Sequence, residues 1–198
     1  MKSSYSGNKE GVVATLTFQD ALNYGALLQC YALQQSILKL GHSTEVLNYA
    51  SEVIRLSNWP RKMLSASSLA EAAKILVKNQ YLTKRKKSFD AFKKECLVLS
   101  KEVSVDSFST DTAKYAKVIV GSDQVWNPIL THGDMNYFLK DLSSSTKKAA
   151  YAASIGLSSI PGDYATDIRA LLSDYCDITV REETAAKVLG ALTGKNID

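Results

Sequence analysis

The stretch Gly11 to Phe18 constrains the fold more than any other. It reads Gly-Val-Val-Ala-Thr-Leu-Thr-Phe, without a charge and rich in β-branched side chains. A strand with no polar face has to be covered on both sides, which is the situation of a central strand in a parallel sheet. Asn23 to Leu40 follows with Lys39 as its only charge, and Gly41 stands where a left-handed residue would end a helix. Thr44 to Tyr49 then supplies a second short strand. Strand, buried helix and strand make a βαβ unit, so the expected fold is α/β, with a mostly parallel, doubly wound, Rossmann-like sheet.

The alternation pauses between about residues 55 and 99, where two helical patterns succeed each other and predict a helical insertion. Ser68 and Glu71 have capping-box spacing, and Leu69, Ala72, Ala73, Leu76 and Val77 form one apolar stripe. The second pattern puts Leu82, Arg85, Phe89, Phe92 and Cys96 on one side, with Lys84, Lys86, Lys87, Lys93 and Lys94 mostly elsewhere. Alternation resumes with a short helix near Thr110 to Tyr115 and a strand Lys117 to Val120. A strand Lys148 to Ser154, a helix Asp163 to Tyr175, a strand Asp177 to Val180 and a helix Glu182 to Leu192 complete it, with Gly194 past the end.

At 198 residues, 45% hydrophobic and 22% charged, the chain is expected to form one globular domain spanning 1–198. A net charge of +4 is too small to argue for nucleic acid, and no nucleic-acid motif accompanies the lysines. Cys30, Cys96 and Cys176 are odd in number and far apart, the pattern of buried thiols in a reducing compartment. Met1 to Glu10 lacks the apolar core of a signal peptide, and no later stretch reaches the roughly 18 apolar residues needed to span a bilayer. A cytoplasmic location is expected. The basic helix from Lys84 to Lys94 is either a solvated face or, with Trp59, Pro60, Met63 and Leu64 near in sequence, a peripheral contact with an anionic membrane surface.

Ligands of open α/β sheets bind beyond the carboxyl ends of the strands. On these assignments that rim gathers Gln19, Asp20, Asn23, Tyr24 and Gly25 after the first strand, then Gly121 to Asn127, then Ser154 and Gly156, then Arg181 and Glu182. Asn23-Tyr24-Gly25 opens a helix and could hold a phosphate or carboxylate on free amides, or Asn23 could simply cap it. Gly121-Ser122-Asp123-Gln124-Val125-Trp126-Asn127-Pro128 is the most informative stretch, because an apolar strand runs abruptly into polar groups that need partners or a ligand. Asp123 could act as general base toward a sugar hydroxyl, with Gln124 and Asn127 hydrogen-bonding and Trp126 as an apolar wall; alternatively Asp123 and Asn127 only organise the turn. Arg181, flanked by Glu182 and Glu183, is either an ion-pair member or an anion anchor. There is no GxGxxG, no GxxxxGK[ST], and no metal-ligand spacing around His42 or His132.

Asn23-Tyr24-Gly25-Ala26-Leu27-Leu28-Gln29-Cys30-Tyr31-Ala32-Leu33-Gln34, Gly121 to Pro128, Ala150-Tyr151-Ala152-Ala153-Ser154-Ile155-Gly156 and Val180-Arg181-Glu182 together resemble the polysaccharide pyruvyl transferase family. The resemblance implies the N-terminal half of a GT-B-like fold. It also implies transfer of pyruvate from phosphoenolpyruvate, as a ketal, to a sugar of a bacterial surface polysaccharide or its lipid-linked precursor. No cofactor or metal beyond the donor is implied. With that chemistry, the rim residues already named are the expected site: Asp123 as the catalytic residue, and Asn23, Tyr24, Gly25, Ser122, Gln124, Trp126, Asn127, Ser154 and Arg181 as substrate-binding residues. Family members that look complete are much longer, so the family's second, C-terminal domain is expected to be absent from this chain. A non-catalytic glycan-binding or interaction module that kept the fold is the alternative reading.

Overall fold

The structure is a computed structural model that describes residues 11–49 and 68–198. Among these residues six strands form one sheet: β1 (Val12–Leu16), β2 (Thr44–Tyr49), β3 (Leu99–Val103), β4 (Tyr115–Val120), β5 (Lys147–Ala153) and β6 (Tyr175–Val180). Their spatial order is β3-β2-β1-β4-β5-β6, and each neighbouring pair is parallel. The sheet is therefore wholly parallel, and the chain reverses its direction of winding between β1 and β4. The helices are α1 (Tyr24–Lys39), α2 (Leu69–Cys96), α3 (Phe108–Thr112), α4 (Gly162–Leu171) and α5 (Glu183–Thr193).

The uncharged first strand is central and covered on both faces, as its composition requires. Ala14 and Leu16 enter the large core with Val118, Val120, Ile168 and Leu189, whereas Val13 packs on the other face with Leu33 and Ile37 of α1. In β2, Leu47 joins the large core, while Val46 joins Leu27, Cys30, Phe89 and Leu97. The α1 ends are those the sequence indicates. Asn23 Oδ1 accepts a hydrogen bond from the Ala26 amide at 3.2 Å, and Gly41 follows with φ of +87°. At the far end of the chain, Gly194 caps α5 in the left-handed region.

Three expectations need correction. The insertion expected over 55–99 is, in its described part, a single 28-residue helix that leads into β3. Leu99 thus begins a strand, and α2 is the crossover between two parallel neighbours rather than an interruption of the alternation. The stripe Leu69, Ala73, Leu76 and Val77 is exposed, while Ser68 caps the helix by accepting from the Glu71 amide. The Ala72 side chain, and the Trp59, Pro60, Met63 and Leu64 of the membrane reading, lie outside the described residues. Finally, the helix near Thr110 to Tyr115 ends at Thr112, and Tyr115 already belongs to β4, where its buried ring packs in the large core. Similarly, the helix expected to reach Tyr175 stops at Leu171, passes through a 3-10 turn, and gives Tyr175 to β6.

The cysteines are not uniformly buried. Cys30 is, and burial pushes its thiol up to about 12. Cys96 is half-buried, and Cys176 is exposed because β6 is an edge strand. Only thiolate attacks a disulfide reagent, so native protein treated with dithionitrobenzoate should label Cys176 first, faster as pH rises. Cys30 should stay silent until the protein unfolds; its labelling in the native state would refute the packing of α1 on the sheet.

Candidate active site at the carboxyl edge

The winding reverses between β1 and β4, so the loops leaving these two strands diverge and open a crevice at their carboxyl ends. One side chain bridges it. Gln29, one turn into α1, donates from Nε2 to Thr17 Oγ1 at 2.7 Å just past β1, and its Oε1 accepts from the Ser122 amide at 3.0 Å and from Ser122 Oγ at 2.8 Å just past β4. Ser122 is thereby fixed from the helix. Gly121 before it has φ of +122°, and a Cβ there would collide with the Tyr151 carbonyl oxygen of β5.

The following residues extend the rim toward β5 and β6. Asp123 Oδ1 accepts from the Gln124 amide at 2.8 Å and starts the 3-10 turn Gln124–Trp126, while the Asp123 carbonyl accepts from the Ser154 amide at 2.9 Å. Asn127 is buried, and its Oδ1 accepts from the amides of Ile129 and Leu130 at 3.1 and 3.2 Å, closing the turn that runs through Pro128. Ser154 is buried and donates from Oγ to Glu182 Oε1 at 2.7 Å. Arg181 is exposed, with its Nε 3.6 Å from Glu182 Oε2. Gly156, at φ of +61°, lies so close to the Gln124 amide that a Cβ would stand 2.7 Å from its Cδ and Oε1, and 3.2 Å from Asn127 Nδ2.

The structure therefore brings Ser122, Asp123, Gln124, Asn127, Ser154 and Arg181 into one continuous rim over β4, β5 and β6. Asn23, Tyr24 and Gly25 sit across the crevice at the start of α1. Asn23 spends its side-chain oxygen on the Ala26 amide, so that donor is satisfied within the helix end. Tyr24 is 63% exposed, packs its ring 4.8 Å from that of Phe89, and has the Arg85 guanidinium 5.2 Å from its centroid. Trp126 does not line the rim. It is fully buried, stacks on Phe138 at 5.6 Å and donates from Nε1 to the Tyr137 carbonyl at 3.1 Å, so its indole supports the loop from beneath.

Two residues have partners here that no motif shows. Gln29 looks like one more polar residue on a helix, and its partner lies 93 positions away. Glu182 reads as a neighbour of Arg181, whereas it also holds Ser154 and lies 3.5 Å from the Gly156 amide. The spacing from Ser154 to Glu182 across two adjacent parallel strands was the available signal. Among the described residues no group of three His, Cys, Asp or Glu side chains could hold a metal ion.

The rim thus offers two carboxylates, an amide and a guanidinium, the groups a hydroxyl-bearing and an anionic substrate would require. The model of one protein family, polysaccharide pyruvyl transferase, matches residues 23–196, which take in the rim from Asn23 onward and every strand of the sheet except β1. The chain belongs to the polysaccharide pyruvyl transferase family. Membership in it implies a sugar acceptor. No curated protein and no solved structure matches the chain significantly.

Proposed function

We propose that this domain takes part in the transfer of a pyruvyl group from phosphoenolpyruvate to a sugar of a bacterial surface polysaccharide, or its lipid-linked precursor, in the cytoplasm. The observation that carries the reading is the rim itself: Asp123 and Glu182 on neighbouring loops beside Gln124 and Arg181, in a chain of the pyruvyl transferase family. In the reaction, the enol methylene of the donor takes up a proton and its adjacent carbon gains oxocarbenium character. Two sugar hydroxyls bond to that carbon, and the carbon–oxygen bond to phosphate breaks. Of the two hydroxyl protons, one balances the new methyl group and the other leaves with phosphate. Asp123 is suited to take a hydroxyl proton, Gln124 to orient the sugar, and Arg181 to hold the donor's carboxylate or phosphate, while the buried Asn127 shapes the turn from within. Ser154 and Glu182 keep the Arg181 segment against the Asp123 loop.

The test is phosphate release from phosphoenolpyruvate with lipid-linked and free glycan acceptors, followed by phosphorus NMR. Asp123→Asn should lower the rate by about 10²–10⁴-fold, the range for loss of a general base, with little change in thermal midpoint. Because Asp123 also starts a turn through Oδ1, Asn is the fitting replacement: its amide oxygen can still accept from Gln124. Undiminished release by Asp123→Asn would remove Asp123 from the chemistry. Glycan binding without release, by the wild-type chain with every acceptor, would favour a binding module instead.

A further inference from the structure

The helix α2 is far longer than the sheet it crosses. Its C-terminal half packs on α1 and on the loop after β1: Lys93 Nζ meets Asp20 Oδ1 at 2.5 Å, Phe89 meets Tyr24, and Arg85 Nη2 donates to the Leu22 carbonyl at 2.8 Å. Arg85 therefore stands level with the carboxyl edge. From there back to Leu69 the helix runs about 24 Å further, at 1.5 Å per residue, away from the sheet and on the side of the rim. That overhanging half is apolar on its outer face. Leu69 is 92% exposed, Val77 68%, Tyr81 62% and Leu76 46%, and with Ala73 they share one side of the helix.

Four exposed lysines accompany this face: Lys74 on its flank, Lys84 and Lys87 continuing its line, and Lys78, one turn past Lys74, toward the back of the helix. Glu71, the acid of the first turn, falls on the far side of the helix from Leu69 at 100° per residue. Apolar side chains bordered by lysines, on a helix not apolar enough to cross a bilayer, are the composition of an element that lies in the headgroup region. We propose that the outer face of α2 from Leu69 to Lys87 docks on an anionic membrane surface, with Leu69, Val77 and Tyr81 inserted at the headgroup level and the lysines on lipid phosphates. This surface differs from a purely basic one, because its affinity needs the apolar residues as well as the charges. It goes beyond the pyruvyl transfer reading and does not depend on it, since docking is read without turnover. It would hold the rim, and Tyr24 with it, next to the bilayer.

The experiment is co-sedimentation of the full chain with vesicles of phosphatidylcholine alone or enriched in phosphatidylglycerol. Wild type is expected to prefer the anionic vesicles and to be released by high salt. Two variants should each bind about tenfold more weakly while keeping the native thermal midpoint: the triple Leu69→Ser, Val77→Ser, Tyr81→Ser, and the quadruple Lys74→Glu, Lys78→Glu, Lys84→Glu, Lys87→Glu. Val77→Ser alone, whose side chain is exposed, replaces the triple if that variant melts early. Equal binding by wild type and variants overturns the proposal, as does indifference to lipid charge. A vesicle-free wild type that forms a dimer dissolved by the serine variant also overturns it and assigns the face to a second copy of the chain.

Discussion

Gly121→Ala is expected to lower the unfolding free energy by roughly 2–5 kcal/mol, combining a strained left-handed backbone with a steric collision. The residue has φ of +122°, and a Cβ would press on the Tyr151 carbonyl oxygen while lying 3.3 Å from the Ala153 amide nitrogen. Neither neighbour can yield cheaply. Both are backbone atoms of β5, which is held to β4 through the register Lys117↔Lys147 to Val120↔Ala150 and to β6 on its other side. Gly41→Ala is the control, because Gly41 also has positive φ, +87°, but its Cβ would meet nothing within 4 Å. It isolates conformational strain, about 1 kcal/mol. Denaturant unfolding of both variants separates the two effects. If Gly121→Ala costs no more than Gly41→Ala, the approach of the β4 loop to β5 is not as described. A Gly121 variant that survives should also show lost function, since Ser122 and Asp123 would have to move with it.

Trp126→Ala should cost roughly 3–5 kcal/mol, the penalty for emptying a buried aromatic site. Its indole lies between Phe138, stacked at 5.6 Å, and Tyr175, edge-on at 5.8 Å. Trp126→Phe keeps much of that volume but leaves the Tyr137 carbonyl without its donor, so about 1–3 kcal/mol is expected. The pair also decides what Trp126 is for. A core residue changes stability first and acceptor affinity only through the loop above it. If Trp126→Phe keeps the wild-type thermal midpoint yet loses glycan binding, the indole contacts substrate and the core assignment is wrong.

What could be read from the residues divides along a physical line. Local signals were legible: the uncharged run of β1, the Asn23 cap and Gly41 terminus of α1, the Ser68 cap of α2, and Gly194 after α5. Each depends on chemistry within a few positions. The β3 strand was not legible, because Ser100, Lys101 and Glu102 give an edge strand no apolar alternation to recognise. The exposure of Leu69, Leu76 and Val77 was equally hidden, since an apolar stripe reads the same whether or not something covers it. In the site, the rim residues followed from strand ends alone. Trp126 did not, because it stands among the polar residues of the loop while its ring neighbours, Phe138 and Tyr175, come from later elements. Gln29 and Glu182 gain their roles through partners 93 and 28 positions away, and no local pattern encodes such pairs.

The adjacency of β1 and β4 carries a kinetic consequence. Val13 lies beside Lys117 and Leu16 beside Val120, so the central pairing of the sheet joins residues separated by more than half the length of the chain. Contacts this distant close large loops before any stabilisation is gained, and they form slowly compared with α1, whose hydrogen bonds are local. The crevice that Gln29 bridges is therefore a late product of folding. Until β4 has docked, Gln29 lacks its Ser122 partner although α1 can already pack on β1 and β2, and a nascent chain that has not yet emerged past Gly121 lacks the Ser122 to Asn127 side of the crevice.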